Sequence, residues 1–234
     1  MHIIEIPAEI QARAMRARGR EHVVEAIDPA RTAHIVVDLQ NGFMAEGAPA
    51  EVATAREIVP AVNRICAALR DAGGLNVFLR YTWDPAEPQP WTIWYDVYLG
   101  PRLSALHRDA FARGAPHWQL WPALDLRPDD LVLDKTRFSA FVPGTCGLDE
   151  ALRARRIDTV IVTGTLTNVC CESTARDAMQ RNYKVVFVSD GNAALSDAQH
   201  NATLANMAVL FADLRSAAET VALIGAGKTR AAAE

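Results

Sequence analysis

The sequence predicts a single α/β domain built around a parallel sheet. Six short runs rich in β-branched residues recur along the 234 residues, and each has the length of a strand. Stretches with helical periodicity separate these runs, which is the pattern of repeated βαβ units. Half of the residues are hydrophobic and 22% are charged, as is usual for a folded domain. Right-handed crossovers then place helices on both faces of the sheet.

Each predicted strand is a short run of mainly apolar residues. The six strands are Ala33–Asp38, Leu75–Arg80, Leu131–Asp134, Thr159–Thr163, Lys184–Ser189 and Ala208–Phe211. In open α/β sheets, ligands bind beyond the carboxyl ends of the strands. The residues that directly follow each run are therefore the first candidates for a functional site.

The predicted helices occupy the intervals between the strands and the end of the chain. They are Ala50–Ala72, Leu103–Arg113, Gly147–Arg155, Val169–Asn182, Ser196–Asn206 and Ala217–Ile224. A further polar helix, Ala8–Ala26, precedes the first strand and ends before Asp28 and Pro29. We therefore expect one domain overall, residues 31–234, with a helical extension over residues 1–30 that packs on it or on a neighbouring subunit.

Charge and composition exclude several classes of function. The net charge is −4 and the pI about 5.9, so the chain has no overall basic field for nucleic acid or an anionic membrane. No apolar segment approaches the roughly 18 residues of a membrane helix, and the N-terminus lacks an apolar signal core. The four cysteines have neither zinc-site spacing nor the density of a disulfide scaffold. We expect a cytoplasmic protein with reduced thiols and a small-molecule substrate.

Three strand ends offer a carboxylate, an ammonium and a thiol, at Asp38, Lys135 and Cys170. A thiol reacts as the thiolate, which a base, a cation or a helix N-terminus favours. Cys170 falls in the first turn of the helix after the fourth strand, where free backbone N–H groups stabilise negative charge. Cys171 points about 100° away around that helix. We therefore interpret Cys171 as a packing residue.

The same three side chains also have purely structural explanations. A cysteine that follows a strand is most often a small buried hydrophobic residue. An aspartate at a strand end is often a turn or cap residue, and most lysines are solvated. The residue types are therefore compatible with a catalytic triad but do not establish one.

Three sequence blocks resemble the signature blocks of a known family, the isochorismatase-like cysteine hydrolases. In order along the chain, these blocks are VVDLQNGF (36–43), LDKTRFSAF (133–141) and VTGTLTNVCCESTARDA (162–178). The likeness covers about residues 30–224. It implies a catalytic triad in which Cys170 is the nucleophile, Asp38 the base and Lys135 the cation that steadies both.

The resemblance also implies a structure for the site and its surroundings. The family fold is a three-layer α/β/α sandwich whose six-stranded parallel sheet has the order 3-2-1-4-5-6. A cis peptide bond would join Thr165 to Leu166, and the backbone N–H groups of Leu166 and Cys170 would form an oxyanion hole. Relatives are commonly dimers or tetramers, so we expect a homo-oligomer.

Members of the family differ in chemistry, and this chain departs from two of them. Nicotinamidases carry a metal site with a D-x-H motif and a further histidine, whereas here Asp84 is present but no histidine lies between His34 and His107. Isochorismatases cleave a vinyl ether and lack the nucleophilic cysteine. We therefore predict an enzyme without metal or cofactor. As the alternative from another class, a non-catalytic redox or thiol-binding protein would use Cys170 and Cys171.

The expected reaction is hydrolysis of a C–N bond in a small amide or ureide, with release of ammonia. The chain most resembles members that act on ureidoacrylate, biuret or N-carbamoyl compounds. Phe43 and Phe138 match positions that line the pocket in relatives, although core packing explains both equally well. Arg137 is a candidate for binding a substrate carboxylate, although a structural role is the simpler explanation. Trp83 is a further candidate for contact with the substrate. It begins an aromatic segment, Trp83–Tyr95, that forms either a lid or an oligomer contact.

Overall fold

The six strands form one parallel sheet in the order β3-β2-β1-β4-β5-β6 in the computed structural model, which describes residues 1–231. This order confirms the predicted one. The strands are β1 Thr32–Val37, β2 Leu75–Tyr81, β3 Leu131–Lys135, β4 Thr159–Thr165, β5 Lys184–Ala193 and β6 Asp213–Arg215. Strands β1 and β4 are buried along their whole length, as central strands covered on both faces must be.

Helices cover both faces of the sheet, so the predicted three-layer architecture is confirmed. The helices are α1 Ala8–Arg18, α2 Asn41–Met44, α3 Ala55–Asp71, α4 Pro101–Phe111, α5 Leu148–Ala154, α6 Glu172–Gln180, α7 Asp197–Asn206 and α8 Ala217–Ala231. Alternate strand residues face opposite layers: Ile35 packs in the core with α5, α6 and α7, whereas Val36 faces α3. Across the described chain, every helix is too short or too polar to cross a membrane.

The sixth strand does not lie where the sequence predicted it. Residues Met207–Phe211, which include the AVLF run, form a π-helical turn that continues α7, and β6 follows at Asp213–Arg215. Met207 is the fully buried residue of this turn, whereas the run itself is only partly buried, with Leu210 60% exposed. The prediction was wrong because a short apolar run is common to buried strands and buried helices.

The N-terminal helix is shorter than predicted. Helix α1 ends at Arg18 because Gly19 adopts the left-handed conformation, with φ 71°, and its N–H closes the last turn. The predicted extent to Ala26 is therefore wrong. The Arg18 guanidinium donates hydrogen bonds to the carbonyl oxygens of Met207 and Ala212, so the helix packs on its own chain.

A histidine inside the sheet makes the stability of the fold depend on pH. His34 lies on β1, is fully buried, and its Nε2 is 2.8 Å from Thr163 Oγ1. Burial lowers the pKa of His34 from 6.5 to about 3, so the ring is neutral in the folded protein. Between about pH 3 and pH 6.5, the unfolded chain therefore binds a proton at His34 that the folded chain does not bind.

We expect the free energy of unfolding to fall as the pH is lowered below 6.5. From pH 7 to pH 5, His34 alone removes about 2 kcal/mol, since each unit of pKa shift corresponds to about 1.4 kcal/mol. Urea unfolding of the wild type and of His34→Gln at both pH values measures this contribution. The variant should lose less stability on acidification, and an equal loss in both proteins would contradict the assignment.

Candidate active site

Three strand ends bring together the carboxylate, the ammonium and the thiol that the sequence analysis selected. Asp38 follows β1, Lys135 is the last residue of β3, and Cys170 lies in a π-helical turn, Thr167–Cys171, between β4 and α6. Because the strands are parallel, these ends meet at one edge of the sheet. Lys135 and Cys170 thus approach Asp38 from opposite sides along the sheet.

The group formed by these side chains is almost completely shielded from solvent. Lys135 Nζ lies 2.7 Å from Asp38 Oδ2, both side chains are fully buried, and Cys170 is 3% exposed. Lys135 also donates a hydrogen bond to the carbonyl oxygen of Arg137. The Asp38 carboxylate accepts hydrogen bonds from the Lys135 ammonium and the Cys170 thiol, so the thiol proton lies next to its acceptor. Because burying an ion pair rarely stabilises a fold, its presence here points to a functional site.

Burial and the ion pair set the protonation states of the three groups. Burial raises the pKa of Cys170, and the positive charge of Lys135 opposes this shift only in part. Burial also raises the pKa of Asp38 despite the opposing charge of Lys135. Burial alone would lower the pKa of Lys135, but the negative charge of Asp38 and its hydrogen bond to Lys135 outweigh burial and raise that pKa. The resting site therefore holds a neutral thiol beside an ammonium and a carboxylate of increased basicity.

Cys171 lies apart from this group of side chains. It is fully buried in the same apolar core as Ala175 and Ala178 of α6. Burial raises the pKa of Cys171 well above its ordinary value, so its thiol is neutral. This position supports the interpretation of Cys171 as a packing residue.

The turn between β4 and Cys170 has an unusual backbone. Gly164 adopts φ +128°, and a Cβ there would lie 2.1 Å from the carbonyl oxygen of Val37, so only glycine lets β4 approach β1 beside Asp38. The peptide bond from Thr165 to Leu166 is cis, as predicted. The Leu166 N–H makes no hydrogen bond within the described chain. It is thus available for the oxyanion hole, which stays a prediction.

A residue to which the sequence analysis gave no role holds Asp38 in place. Asp38 has φ 53°, a left-handed conformation that is uncommon for a residue with a side chain. Two residues later, the fully buried amide of Gln40 donates to the carbonyl oxygens of Tyr81 and Trp118 at 3.0 and 2.8 Å. Its Oε1 accepts from the Tyr81 N–H at 2.7 Å. The sequence offered no clear signal, because Gln40 lies between the polar residues Asp38 and Asn41 and its polarity did not single it out.

Replacing Gln40 by alanine should lower the free energy of unfolding by about 3 kcal/mol. The change removes three hydrogen bonds and leaves their backbone partners buried without replacements. Denaturant unfolding measures the loss. Asn41→Ala is the matched control, because its amide makes one hydrogen bond to Pro116 O near the surface, and we expect it to cost under about 1 kcal/mol. Equal losses in both variants would contradict the role given to Gln40.

A cavity of about 280 Å³ opens beside Cys170. Of the four side chains predicted to contact substrate, Phe43 and Phe138 line this cavity. Trp83 and Arg137 instead line a separate pocket of about 200 Å³. Their roles as substrate contacts stay predictions.

The aromatic segment after β2 reaches the cavity through a different tryptophan. Trp94 lines the cavity and packs edge-on against Phe138, with ring centroids 5.0 Å apart. Trp83 is held at the start of the segment by a hydrogen bond from its N–H to the Phe111 carbonyl oxygen. Sequence alone did not distinguish Trp94 from its neighbours, because the path of an irregular segment follows from its packing.

Asp84 lies at the position that carries the metal motif in nicotinamidases. Asp84 forms an ion pair with Arg113 at 3.7 Å, and its Oδ1 accepts a hydrogen bond from the Ala86 N–H. Within residues 1–231, the side chains of His, Cys, Asp and Glu form no group of three or more suited to a metal ion. The residues at this position therefore do not fit the metal site of nicotinamidases, and independence from metal stays a prediction for chelation experiments.

Comparisons with known proteins agree with the fold. The family model described as Isochorismatase domain matches residues 32–219. A protein named ureidoacrylate amidohydrolase RutB from Methylobacterium radiotolerans is 33% identical over 80% of this chain and 76% of its own length. A protein of the same name from Variovorax paradoxus is 33% identical over 88% of this chain and 85% of its own.

Comparison with solved structures also finds hydrolases of this fold. The crystal structure of a cysteine hydrolase from Pseudomonas syringae pv. phaseolicola matches with a TM-score of 0.79 and 33% sequence identity, over 89% of this chain and 99% of that one. The family model covers most of the chain, and the sequence relatives align over most of their own length. The chain therefore belongs to the isochorismatase family and is a hydrolase.

Proposed function

We propose that the protein is a cysteine hydrolase that cleaves the C–N bond of a small amide or ureide and releases ammonia. The observation that carries the proposal is the buried ion pair of Asp38 and Lys135 against the Cys170 thiol. It supplies a base, a fixed positive charge and a nucleophile at the end of an enclosed cavity. The names of the relatives from Methylobacterium and Variovorax, both amidohydrolases, support the same bond type.

In the first half of the proposed reaction, Asp38 takes the proton of the Cys170 thiol. The raised pKa of Asp38 suits this transfer, and the ammonium of Lys135 stabilises the thiolate as it forms. Sulfur then bonds to the substrate carbonyl carbon, and the oxyanion accepts hydrogen bonds from the N–H groups of Leu166 and Cys170. The C–N bond breaks as Asp38 returns its proton to the leaving nitrogen, which gives ammonia and a thioester.

In the second half, water replaces the amine. Asp38 accepts a proton from a water molecule, whose oxygen bonds to the thioester carbon. The C–S bond then breaks, the proton returns to sulfur, and the acid leaves. Each cycle consumes one substrate and one water and regenerates the thiol, so no redox partner is required.

Ammonia release from a panel of amides and ureides tests the proposal. The panel contains ureidoacrylate, biuret, triuret, N-carbamoyl amino acids and aryl amides, each assayed with and without a chelator. We expect turnover of at least one compound that survives chelation and the Cys171→Ala change but is lost in Cys170→Ala. Turnover that depends on metal, or that persists in Cys170→Ala, would refute the thiol mechanism. If no compound of the panel were hydrolysed, the thiol-binding alternative would be favoured.

A further inference from the structure

The cavity beside Cys170 has an almost wholly apolar wall. Side chains from five separate segments supply most of it: Phe43, Tyr81, Trp94, Phe138, Leu166 and Val169. A cavity of roughly 150 Å³ accommodates benzene. At about 280 Å³, this cavity has room for a ring with several further atoms.

Positive charge is missing from the wall of this cavity. Within residues 1–231, no lysine or arginine side chain lines it. The cations around the site are held by other partners: Lys135 pairs with Asp38, and Arg108 pairs with Asp96. Arg137 donates to backbone carbonyl oxygens and lies over the Trp91 ring. A carboxylate placed in the cavity would lose its hydration without gaining a counter-ion, at a cost of several kcal/mol.

Two polar atoms in the wall have no hydrogen-bond partner. Within the described residues, Trp94 Nε1 and His107 Nδ1 are buried and unpaired, and both side chains line the cavity. Burial lowers the pKa of His107, so its ring is neutral. Neither nitrogen adds surface to the cavity, so both rings present carbon atoms to a ligand. The two rings lie 6.4 Å apart between centroids and form one part of the apolar wall.

We propose that the substrate is an uncharged amide whose acyl group carries a compact aromatic or branched apolar body. The apolar body occupies the space between Phe43 and Phe138 and packs against the rings of Trp94 and His107. This inference rests on the proposed function, because loss of ammonia leaves the whole body on the acyl side. The inference therefore excludes, as the preferred substrate, a ureide that carries a carboxylate, such as ureidoacrylate.

Three aryl amides of similar size test this specificity: benzamide, 3-hydroxybenzamide and 3-carboxybenzamide, with ureidoacrylate as a fourth compound. We expect kcat/KM for ammonia release to be at least about 100-fold higher for the two uncharged amides than for the two carboxylates. Trp94→Ala should lower kcat/KM at least about tenfold for both uncharged amides, because it removes one ring of the apolar wall. Tyr98→Phe, an exposed position of the same turn, is the control and should change neither value. Equal or faster turnover of the carboxylates would overturn the inference.

Calorimetric binding to Cys170→Ala separates a failure of this inference from a failure of the proposed function. If the wild type releases no ammonia but Cys170→Ala binds 3-hydroxybenzamide and not 3-carboxybenzamide, the hydrolytic function fails and the inference on the ligand stands. If ammonia is released and the carboxylate binds as tightly as the neutral amide, the function stands and the inference fails. The absence of binding by either uncharged amide would also overturn the inference.

Discussion

Replacing Cys170 by alanine should reduce kcat for ammonia release by roughly 10⁴- to 10⁶-fold. The change removes the atom that forms the thioester, and losses of this size follow the removal of a catalytic nucleophile in other hydrolases. Asp38 and Lys135 remain in place but can only direct a water molecule to the carbonyl carbon. Steady-state ammonia release with the best substrate of the panel measures the effect.

Cys171→Ala is the matched control for this prediction. The neighbouring thiol is fully buried among side chains of α6 and does not line the cavity. Its removal should lower the free energy of unfolding by about 1–2 kcal/mol and change kcat by less than about threefold. If Cys171→Ala abolished turnover while Cys170→Ala retained it, the assignment of the nucleophile would be reversed.

Breaking the ion pair from either side should destabilise the protein by about 3–5 kcal/mol and abolish measurable turnover. In Asp38→Asn the ammonium of Lys135 is left buried without a counter-ion, and burial then lowers the pKa of Lys135. In Lys135→Met the carboxylate is left alone, and burial raises the pKa of Asp38 further. Asp38→Asn removes the base of the proposed mechanism, and Lys135→Met leaves that base protonated. Loss of the base by itself costs about 10²- to 10⁴-fold in rate.

The double variant Asp38→Asn/Lys135→Met distinguishes a catalytic pair from a structural one. With both charges removed, no unpaired charge stays buried, so stability should recover to above that of either single variant. Activity should not recover. Urea unfolding and ammonia release on the same four proteins complete the cycle. Recovery of activity together with stability would show that the pair serves the fold and not the reaction.

Much of the fold was predictable because buried parallel strands leave clear apolar runs. The first five strands begin within one residue of their predicted positions. The failures have local causes. Gly19 ends α1 early because it accepts a left-handed conformation. Met207–Phe211 continues as helix with only Met207 fully buried, and its apolar residues resemble those of a strand only in sequence.

The reactive groups were easier to predict than the space around them. Asp38, Lys135 and Cys170 each follow or end a strand, so the topology alone brings them together. The cavity wall draws on five segments with different paths, and no spacing in the sequence encodes their convergence. Trp94 therefore lines the cavity, where the sequence analysis expected Trp83. The three hydrogen bonds of Gln40 could not be predicted without the positions of Tyr81 and Trp118.

The most direct test of the account is mass spectrometry of the enzyme stopped by acid during turnover. Fragmentation of the peptide between the two adjacent cysteines shows which of them carries an acyl group. The same measurement on Cys171→Ala leaves Cys170 as the one cysteine of the pair. The mechanism predicts an added mass equal to the substrate acyl group on Cys170 in both proteins, and none in Cys170→Ala. An acyl group on Cys171, or steady turnover with no acylated cysteine under conditions where hydrolysis of the thioester limits the rate, would contradict it.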